Sequence, residues 1–72
     1  MNQRRHRKDK WAVYGEYGGY FTNLRDAKEC AKEASKSPEY DFTAEVWNLD
    51  DGRWYIEYQN GRLTWDGWTI KK

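Results

Sequence analysis

Residues 42–70 decide the fold of this chain, and they read FTAEVWNLDDGRWYIEYQNGRLTWDGWTI. Three segments within this stretch are rich in aromatic and β-branched residues: 42–48, 53–58 and 62–70. The loops between them are Asp50-Asp51-Gly52 and Asn60-Gly61, and Asn-Gly is the strongest short-range signal for a two-residue hairpin turn. The stretch therefore predicts three antiparallel strands joined by two tight turns.

The second turn sets the pairing of the last two strands. A two-residue turn at Asn60-Gly61 pairs Tyr58 with Leu63 and, two residues further along, Ile56 with Trp65. Because side chains alternate between the faces of a sheet, both pairs are expected on the same face. This places large apolar residues of both strands on the predicted core face.

The first turn sets the pairing of the first two strands. If residues 50–52 form a three-residue loop with Gly52 in the left-handed conformation, Val46 pairs with Ile56. A two-residue turn would instead place Trp47 on the core face in place of Val46. With the three-residue loop, the predicted core face consists of Phe42, Ala44, Val46, Trp54, Ile56, Tyr58, Leu63 and Trp65.

A helix is predicted over residues 23–36. Thr22 or Asn23 can cap it, and Ser37-Pro38 ends it because proline disfavours helical geometry in the residue before it. Four apolar residues recur at helical spacing: Leu24, Ala27, Ala31 and Ala34. A stripe made mostly of alanine predicts a helix lying close upon a sheet whose larger side chains fill the core. Cys30, beside the stripe, is interpreted as a small core residue.

Residues 11–17 are interpreted as one main strand, followed by Gly18-Gly19. After the glycines, either a loop or a hairpin returning through Tyr20-Phe21 fits the pattern. The predicted fold is α+β, with a single helix packed on one face of a three- to four-stranded, mainly antiparallel sheet in the order β-α-β-β-β. A chain of 72 residues allows one small core, so residues 11–72 are expected to form a single domain.

Residues 1–10 differ from the rest in charge and in apolar content. Within this segment no apolar residue follows Met1. It contains one acidic side chain, Asp9, and five basic ones: Arg4, Arg5, Arg7, Lys8 and Lys10. This pattern predicts a disordered basic arm. Residues 11–70, with six basic and eleven acidic side chains, have a balance of −5. An acidic body therefore follows a basic end.

The composition argues against an enzyme and against a bound cofactor or metal. One cysteine and one histidine exclude a Cys-rich zinc site, a histidine cluster and most histidine-assisted nucleophiles. No apolar run approaches the length of a membrane span, and no apolar segment follows the basic residues as in a signal peptide. We therefore expect no membrane association and a cytoplasmic location, which for a phage-encoded chain is the host cytoplasm.

One helix can cover only one face of the predicted sheet, so the other face is the candidate site. The residues expected on it are Trp47, Arg53, Tyr55, Trp68, Glu45 and Glu57. Exposed tryptophan and tyrosine are typical of protein-binding hot spots, and an acidic border favours a basic partner surface. Trp54 and Trp65 are assigned to the core instead. Two other interpretations remain open: the rings only stabilise cross-strand pairs, or they form a homodimer.

Nucleic-acid binding is the alternative function. The five cations of the arm could neutralise phosphates, while Trp47, Tyr55 and Trp68 beside Arg53 could stack on single-stranded bases. Glu45 and Glu57 would repel the phosphate backbone at the same face. This opposition makes a protein or protein complex the preferred partner.

The layout also resembles two groups of known proteins. The Trp11-x-Val13 segment, the Phe21-Thr22 entry to the Ala27/Ala31/Ala34 helix and the Asp51-Gly52 hairpin are similar to a small bacterial βαββ domain family of uncharacterised function. The same layout over residues 11–65 resembles compact phage-encoded inhibitors, including some anti-CRISPR proteins. The resemblance implies a non-enzymatic inhibitor that binds and blocks a host macromolecular complex. It implies no site residue, and the arm matches neither group.

Overall fold

The helices and strands were determined from a computed structural model, which describes residues 8–71 and the side chains of residues 8–69. In chain order the elements are β1 (Trp11–Tyr14), β2 (Gly19–Phe21), α1 (Leu24–Ala34), a 3₁₀ helix (Pro38–Tyr40), β3 (Thr43–Asn48), β4 (Arg53–Gln59), β5 (Arg62–Asp66) and α2 (Gly67–Lys71). The strands form one antiparallel sheet in the order β2-β1-β3-β4-β5, and α1 packs across one face of it. The predicted α+β fold is confirmed, with five strands.

The additional strand comes from a hairpin at the start of the domain. Trp11 pairs with Phe21, so the strand predicted over residues 11–17 ends at Tyr14, and of the two alternatives after the glycines the hairpin returning through Tyr20-Phe21 forms. The pairing begins before Trp11, because Lys10 N donates to Phe21 O at 2.9 Å and Lys10 O accepts from Leu49 N at 2.8 Å. Asp9 is buried. Two residues assigned to the basic arm thus contact the domain, whereas Arg4, Arg5 and Arg7 lie outside the described residues.

The central hairpin has the predicted pairing at its core positions but not the predicted loop. Val46 pairs with Ile56 and Gly52 has a φ of 68°, whereas Asn48 pairs with Arg53, so that the loop spans the four residues 49–52 instead of three. Left-handed backbone of this kind favours glycine, because a Cβ atom would crowd the adjoining peptide groups. The Asn60-Gly61 turn also forms, with φ values of 51° and 80°.

Two β-bulges change the faces on which the tryptophans lie. Val46 pairs with Ile56 but Trp47 pairs with Trp54, which leaves Tyr55 as an extra residue in β4. Each extra residue moves the side chains beyond it to the opposite face. Trp54 therefore leaves the predicted core face.

The second bulge acts in the same way on β5. Tyr58 pairs with Leu63 as predicted, but Glu57 pairs with Trp65, which leaves Thr64 as the extra residue. The predicted pairing of Ile56 with Trp65 is wrong, because Ile56 pairs with Asp66. Trp65 consequently shares the face of Glu57, away from α1.

The core lies between α1 and the three central strands. Asn23 caps the helix by accepting a 2.9 Å hydrogen bond from Asp26 N, as one of the two predicted caps. Gly15 lets the helix approach, because a Cβ there would lie 3.3 Å from Ala34 Cβ and 3.0 Å from Ala44 Cβ. The side chains buried in this layer are Trp11, Val13, Ala27, Ala31, Ala34, Ala44, Val46, Tyr55, Ile56 and Tyr58.

Besides Trp54 and Trp65, two further residues predicted for the core face are exposed. Phe42 precedes β3 with a φ of 60° and is 45% exposed, because the left-handed backbone turns it out before the strand begins. Leu63 shares the face of Tyr58, but β5 is the edge strand, and Leu63 is 47% exposed. The small helix α1 leaves that edge uncovered.

Ser35, at the end of α1, joins the helix to the β4–β5 hairpin. Its hydroxyl donates to Lys32 O at 2.8 Å and accepts from Gly61 N at 2.8 Å, while its carbonyl accepts from Asn60 N at 3.1 Å. The residue is fully buried. Ser35 therefore supplies a partner for backbone groups of the Asn60-Gly61 turn.

We expect Ser35→Ala to lower the free energy of unfolding by about 2 kcal/mol, because the half-buried Gly61 N–H loses its acceptor and the bond from the buried Ser35 hydroxyl to Lys32 O is lost. Thermal unfolding followed by circular dichroism measures the change. The exposed Thr22→Ala is the control, with an expected change within about 0.5 kcal/mol. Equal midpoints for the two variants would contradict this role of Ser35.

The last predicted strand ends early, because residues 67–71 form α2. Asp66 caps the new helix by accepting from Thr69 N and from the Thr69 hydroxyl, both at 2.9 Å. Lys28 Nζ of α1 lies 3.5 Å from Asp66 Oδ2. Burial opposes ionisation of Asp66, but the Thr69 hydrogen bonds and the Lys28 charge outweigh it and lower the pKa of Asp66 below its ordinary value.

Candidate functional site: the open aromatic face

The sheet face opposite α1 carries five aromatic residues and two carboxylates. By register, one row of side chains across it is Tyr14, Glu45, Glu57 and Trp65, and the next row is Tyr20, Ala12, Trp47 and Trp54. We define the open face as Tyr14, Glu45, Trp47, Trp54, Glu57 and Trp65. Three of its rings are large and exposed: Tyr14 at 55%, Trp54 at 41% and Trp65 at 43%.

The rings form two contacting pairs. Tyr14 and Trp47 meet edge to face with centroids 5.7 Å apart, and Trp54 and Trp65 lie 6.3 Å apart at an angle of 37°. The Trp54 indole N–H donates to Ile56 O at 3.0 Å, which holds that ring against the strand. The rings are therefore positioned by the sheet, and a ligand would find them already ordered.

The two carboxylates lie between these ring pairs. Glu45 pairs directly with Glu57 across β3 and β4, and both are half-buried. Glu45 Oε1 accepts from Trp47 Nε1 at 3.0 Å, and Glu57 Oε2 accepts from Gln59 Nε2 at 3.4 Å. Among the side chains of residues 8–69, neither carboxylate forms an ion pair. The centre of the open face is thus negatively charged and unneutralised by this part of the chain.

Half of the predicted site residues come together on the open face and half do not. Trp47, Glu45 and Glu57 lie there, as expected. Tyr55 and Trp68 were expected beside them, but both lie on the face covered by the helices, where Trp68 contacts Tyr55 at a centroid distance of 5.1 Å. The bulge at Tyr55 and the start of α2 at Gly67 cause these two differences.

Trp68 is also held by Trp11, which it meets edge to face at 4.9 Å. Arg53 was expected next to Trp68 on the open face. Instead, Arg53 pairs with Asn48, and Asn48 in turn pairs with Trp11 on the other side of β3. The backbone N–H of Arg53 donates to Asp51 Oδ1 at 2.9 Å. The Tyr55 hydroxyl donates to the Asp51 carboxylate. These residues stabilise the end of the sheet below α2.

Sequence reasoning missed Tyr14, Trp54 and Trp65 as members of the site. A signal for Trp54 was present, because Trp54-Tyr55-Ile56 places three large apolar residues in succession. A regular strand with one buried face would alternate, so such a run indicates that one residue is out of register. No comparable signal marks Thr64 as the extra residue in β5.

Other kinds of site find little support in the described part of the chain. Residues 8–71 bring together no group of three His, Cys, Asp or Glu side chains that could hold a metal ion. Cys30 donates from its thiol to Tyr17 O at 3.1 Å, and burial raises the pKa of that thiol. None of the described helices is both long enough and apolar enough to cross a membrane.

Comparison of the chain with models of protein families, with curated proteins and with solved structures gives no match.

Proposed function

We propose that this protein is a non-enzymatic binding module that recognises another protein through the open face. The observation that carries the proposal is the exposure of Tyr14, Trp54 and Trp65 together on the sheet face that α1 leaves uncovered. Exposed aromatic side chains bury large areas on binding at a low cost in conformational entropy, and they dominate protein-binding hot spots. Their exposure in the isolated chain is unfavourable unless a partner covers them.

The charge of the open face supports a basic protein as partner. Glu45 and Glu57 at its centre attract a positively charged surface and accelerate the encounter. They repel the phosphates of a nucleic acid, which disfavours the alternative function at this face. Lys8 and Lys10 belong to the predicted basic arm, whose other cations lie outside the described residues.

The layout suggests a finer proposal for the biological role. The single helix over an antiparallel sheet resembles compact phage-encoded inhibitors. We extend the proposal accordingly to an inhibitor that blocks a host complex in the cytoplasm by covering part of its surface. The open face would supply the contact.

We expect Trp54→Ser and Trp65→Ser each to weaken partner binding by about 2 kcal/mol or more, about 30-fold, while the protein stays folded. The wild type is used to capture a partner from a bacterial lysate, and the purified partner is then titrated calorimetrically against each variant. Tyr40→Ser is the matched control, because Tyr40 is 55% exposed but lies in the 3₁₀ helix. Normal affinity in both tryptophan variants, with loss in Tyr40→Ser, would overturn the proposal.

A further inference from the structure

The direct opposition of Glu45 and Glu57 is unfavourable for the isolated fold. Side chains directly opposite on antiparallel strands have Cβ atoms about 5 Å apart, and like charges at that separation destabilise the sheet. The two strands involved, β3 and β4, are inner strands, so the pair lies within the sheet and not at its edge. Opposite charges or two neutral residues would stabilise the same position.

The rest of the described chain does not neutralise this pair. Lys10 and Arg62 are cations near the ends of the same face, and Arg62 pairs with Gln59 instead of lying opposite Glu57. No ion pair joins either of them to Glu45 or Glu57 among residues 8–69. A cation supplied from outside would therefore relieve the repulsion.

Aromatic rings surround the carboxylates in an arrangement that favours one type of cation. Tyr14 lies opposite Glu45 on one side, and Trp65 lies opposite Glu57 on the other. A guanidinium group donates in a planar fork to carboxylates and also stacks on indole rings, whereas an ammonium group is a compact, strongly hydrated charge. Cation–π contact with tryptophan adds to the attraction.

We propose that the open face receives an arginine side chain of the partner protein between Glu45 and Glu57. The guanidinium donates to both carboxylates and contacts the indoles of Trp54 and Trp65. This inference rests on the proposed function, and it specifies the chemistry of the partner's central residue.

The first test uses three blocked peptides as probes: acetyl-Gly-Arg-Gly-amide and the same peptide with lysine or citrulline in place of arginine. Citrulline has nearly the shape of arginine but no charge. Titration of isotope-labelled wild type, followed by NMR, is expected to give saturable shifts of the Trp47, Trp54 and Trp65 indole N–H signals with the arginine peptide. The lysine peptide is expected to bind at least threefold more weakly and the citrulline peptide not at all. Equal binding of all three would overturn the inference.

The second test uses Glu57→Lys, for which stability and binding are expected to change in opposite directions. Lysine opposite Glu45 replaces a repulsive pair by an attractive one, so the thermal midpoint should rise by about 2–6 °C. The same substitution fills the site with a cation and should weaken binding of the arginine peptide at least tenfold. Because the variant is expected to be more stable, unfolding cannot explain the loss.

Glu29→Lys is the matched control, because it makes the same change in net charge on the exposed surface of α1. It should bind the arginine peptide within twofold of the wild type. If Glu57→Lys also binds normally, or if both variants lose binding equally, the arginine site is wrong and only general charge attraction is at work.

The captured partner separates this inference from the proposed function. If Trp54→Ser loses affinity for the captured partner but Glu57→Lys does not, the open face is supported as the binding surface and the arginine site is overturned. A wild-type dimer in sedimentation experiments that Trp54→Ser dissociates would identify a second copy as the occupant and overturn the inference. Tighter binding of oligothymidylate than of any captured protein by the wild type would overturn both proposals.

Discussion

Ile56→Ala is expected to lower the free energy of unfolding by about 3 kcal/mol, as large-to-small changes at buried positions do. Ile56 is 0% exposed and is among the largest fully buried side chains, with Val13 and Val46. These three pair across the central strands directly beneath the alanines of α1. Because the core of a domain this small supplies only about 3–5 kcal/mol, the variant should be largely unfolded at 37 °C.

Urea denaturation followed by far-ultraviolet circular dichroism measures this loss. Leu63→Ala is the control, because Leu63 lies on the same face of the sheet but at the uncovered edge. Its expected cost is below about 1 kcal/mol. Similar losses of unfolding free energy for the two variants would contradict the structure, in which α1 buries Ile56 and leaves Leu63 exposed.

Trp68→Ala is expected to cost about 2–3 kcal/mol, the second-largest effect. Trp68 is half-buried and meets both Trp11 and Tyr55 edge to face. Removing the indole opens a cavity between the sheet and α2 and deletes two aromatic contacts. The buried ring of Trp11 would then be exposed to solvent from that side.

Trp65→Ala provides the matched comparison, because it is the same chemical change on the opposite face. Its ring is 43% exposed, so its removal should cost about 1 kcal/mol or less. Sequence reasoning predicts the reverse, with Trp65 in the core and Trp68 on the open face. Thermal unfolding of the two variants therefore decides between the two assignments, and a lower midpoint for Trp65→Ala would contradict the structure.

Local signals in the sequence were enough to predict those elements that are determined by residues close together along the chain. The helix was predicted because Asn23 can cap it and because the alanines recur at helical spacing, and neither signal depends on the rest of the chain. The Asn60-Gly61 turn and left-handed Gly52 were predictable for the same reason, since backbone geometry restricts these positions to few residue types. The pairing of Val46 with Ile56 was predicted from a three-residue loop, but the loop has four residues, 49–52, and the extra residue Tyr55 in β4 restores that pairing.

The candidate site was predictable only as a type of surface. One helix cannot cover both faces of a sheet, so an exposed face with aromatic and acidic residues follows from the sequence, and Trp47, Glu45 and Glu57 lie on it. Which other rings join them depends on Tyr55 and Thr64, the extra residues of two bulges. A bulge reverses the face of each side chain beyond it. The run Trp54-Tyr55-Ile56 breaks the alternation and indicates the first bulge, but no such break in the sequence marks Thr64.

The sequence by itself thus determined α1, the left-handed Gly52 and the Asn60-Gly61 turn, because each depends on residues close together along the chain. Only the tertiary structure decided which tryptophans are buried. Trp68 lies in α2 and is half-buried because it packs against Trp11 and Tyr55, which are distant from it in sequence. Trp54 and Trp65 lie on the open face because the two bulges turn their side chains away from α1. The packing of α1 against the other face of the sheet, and not a local preference of the sequence, stabilises this arrangement.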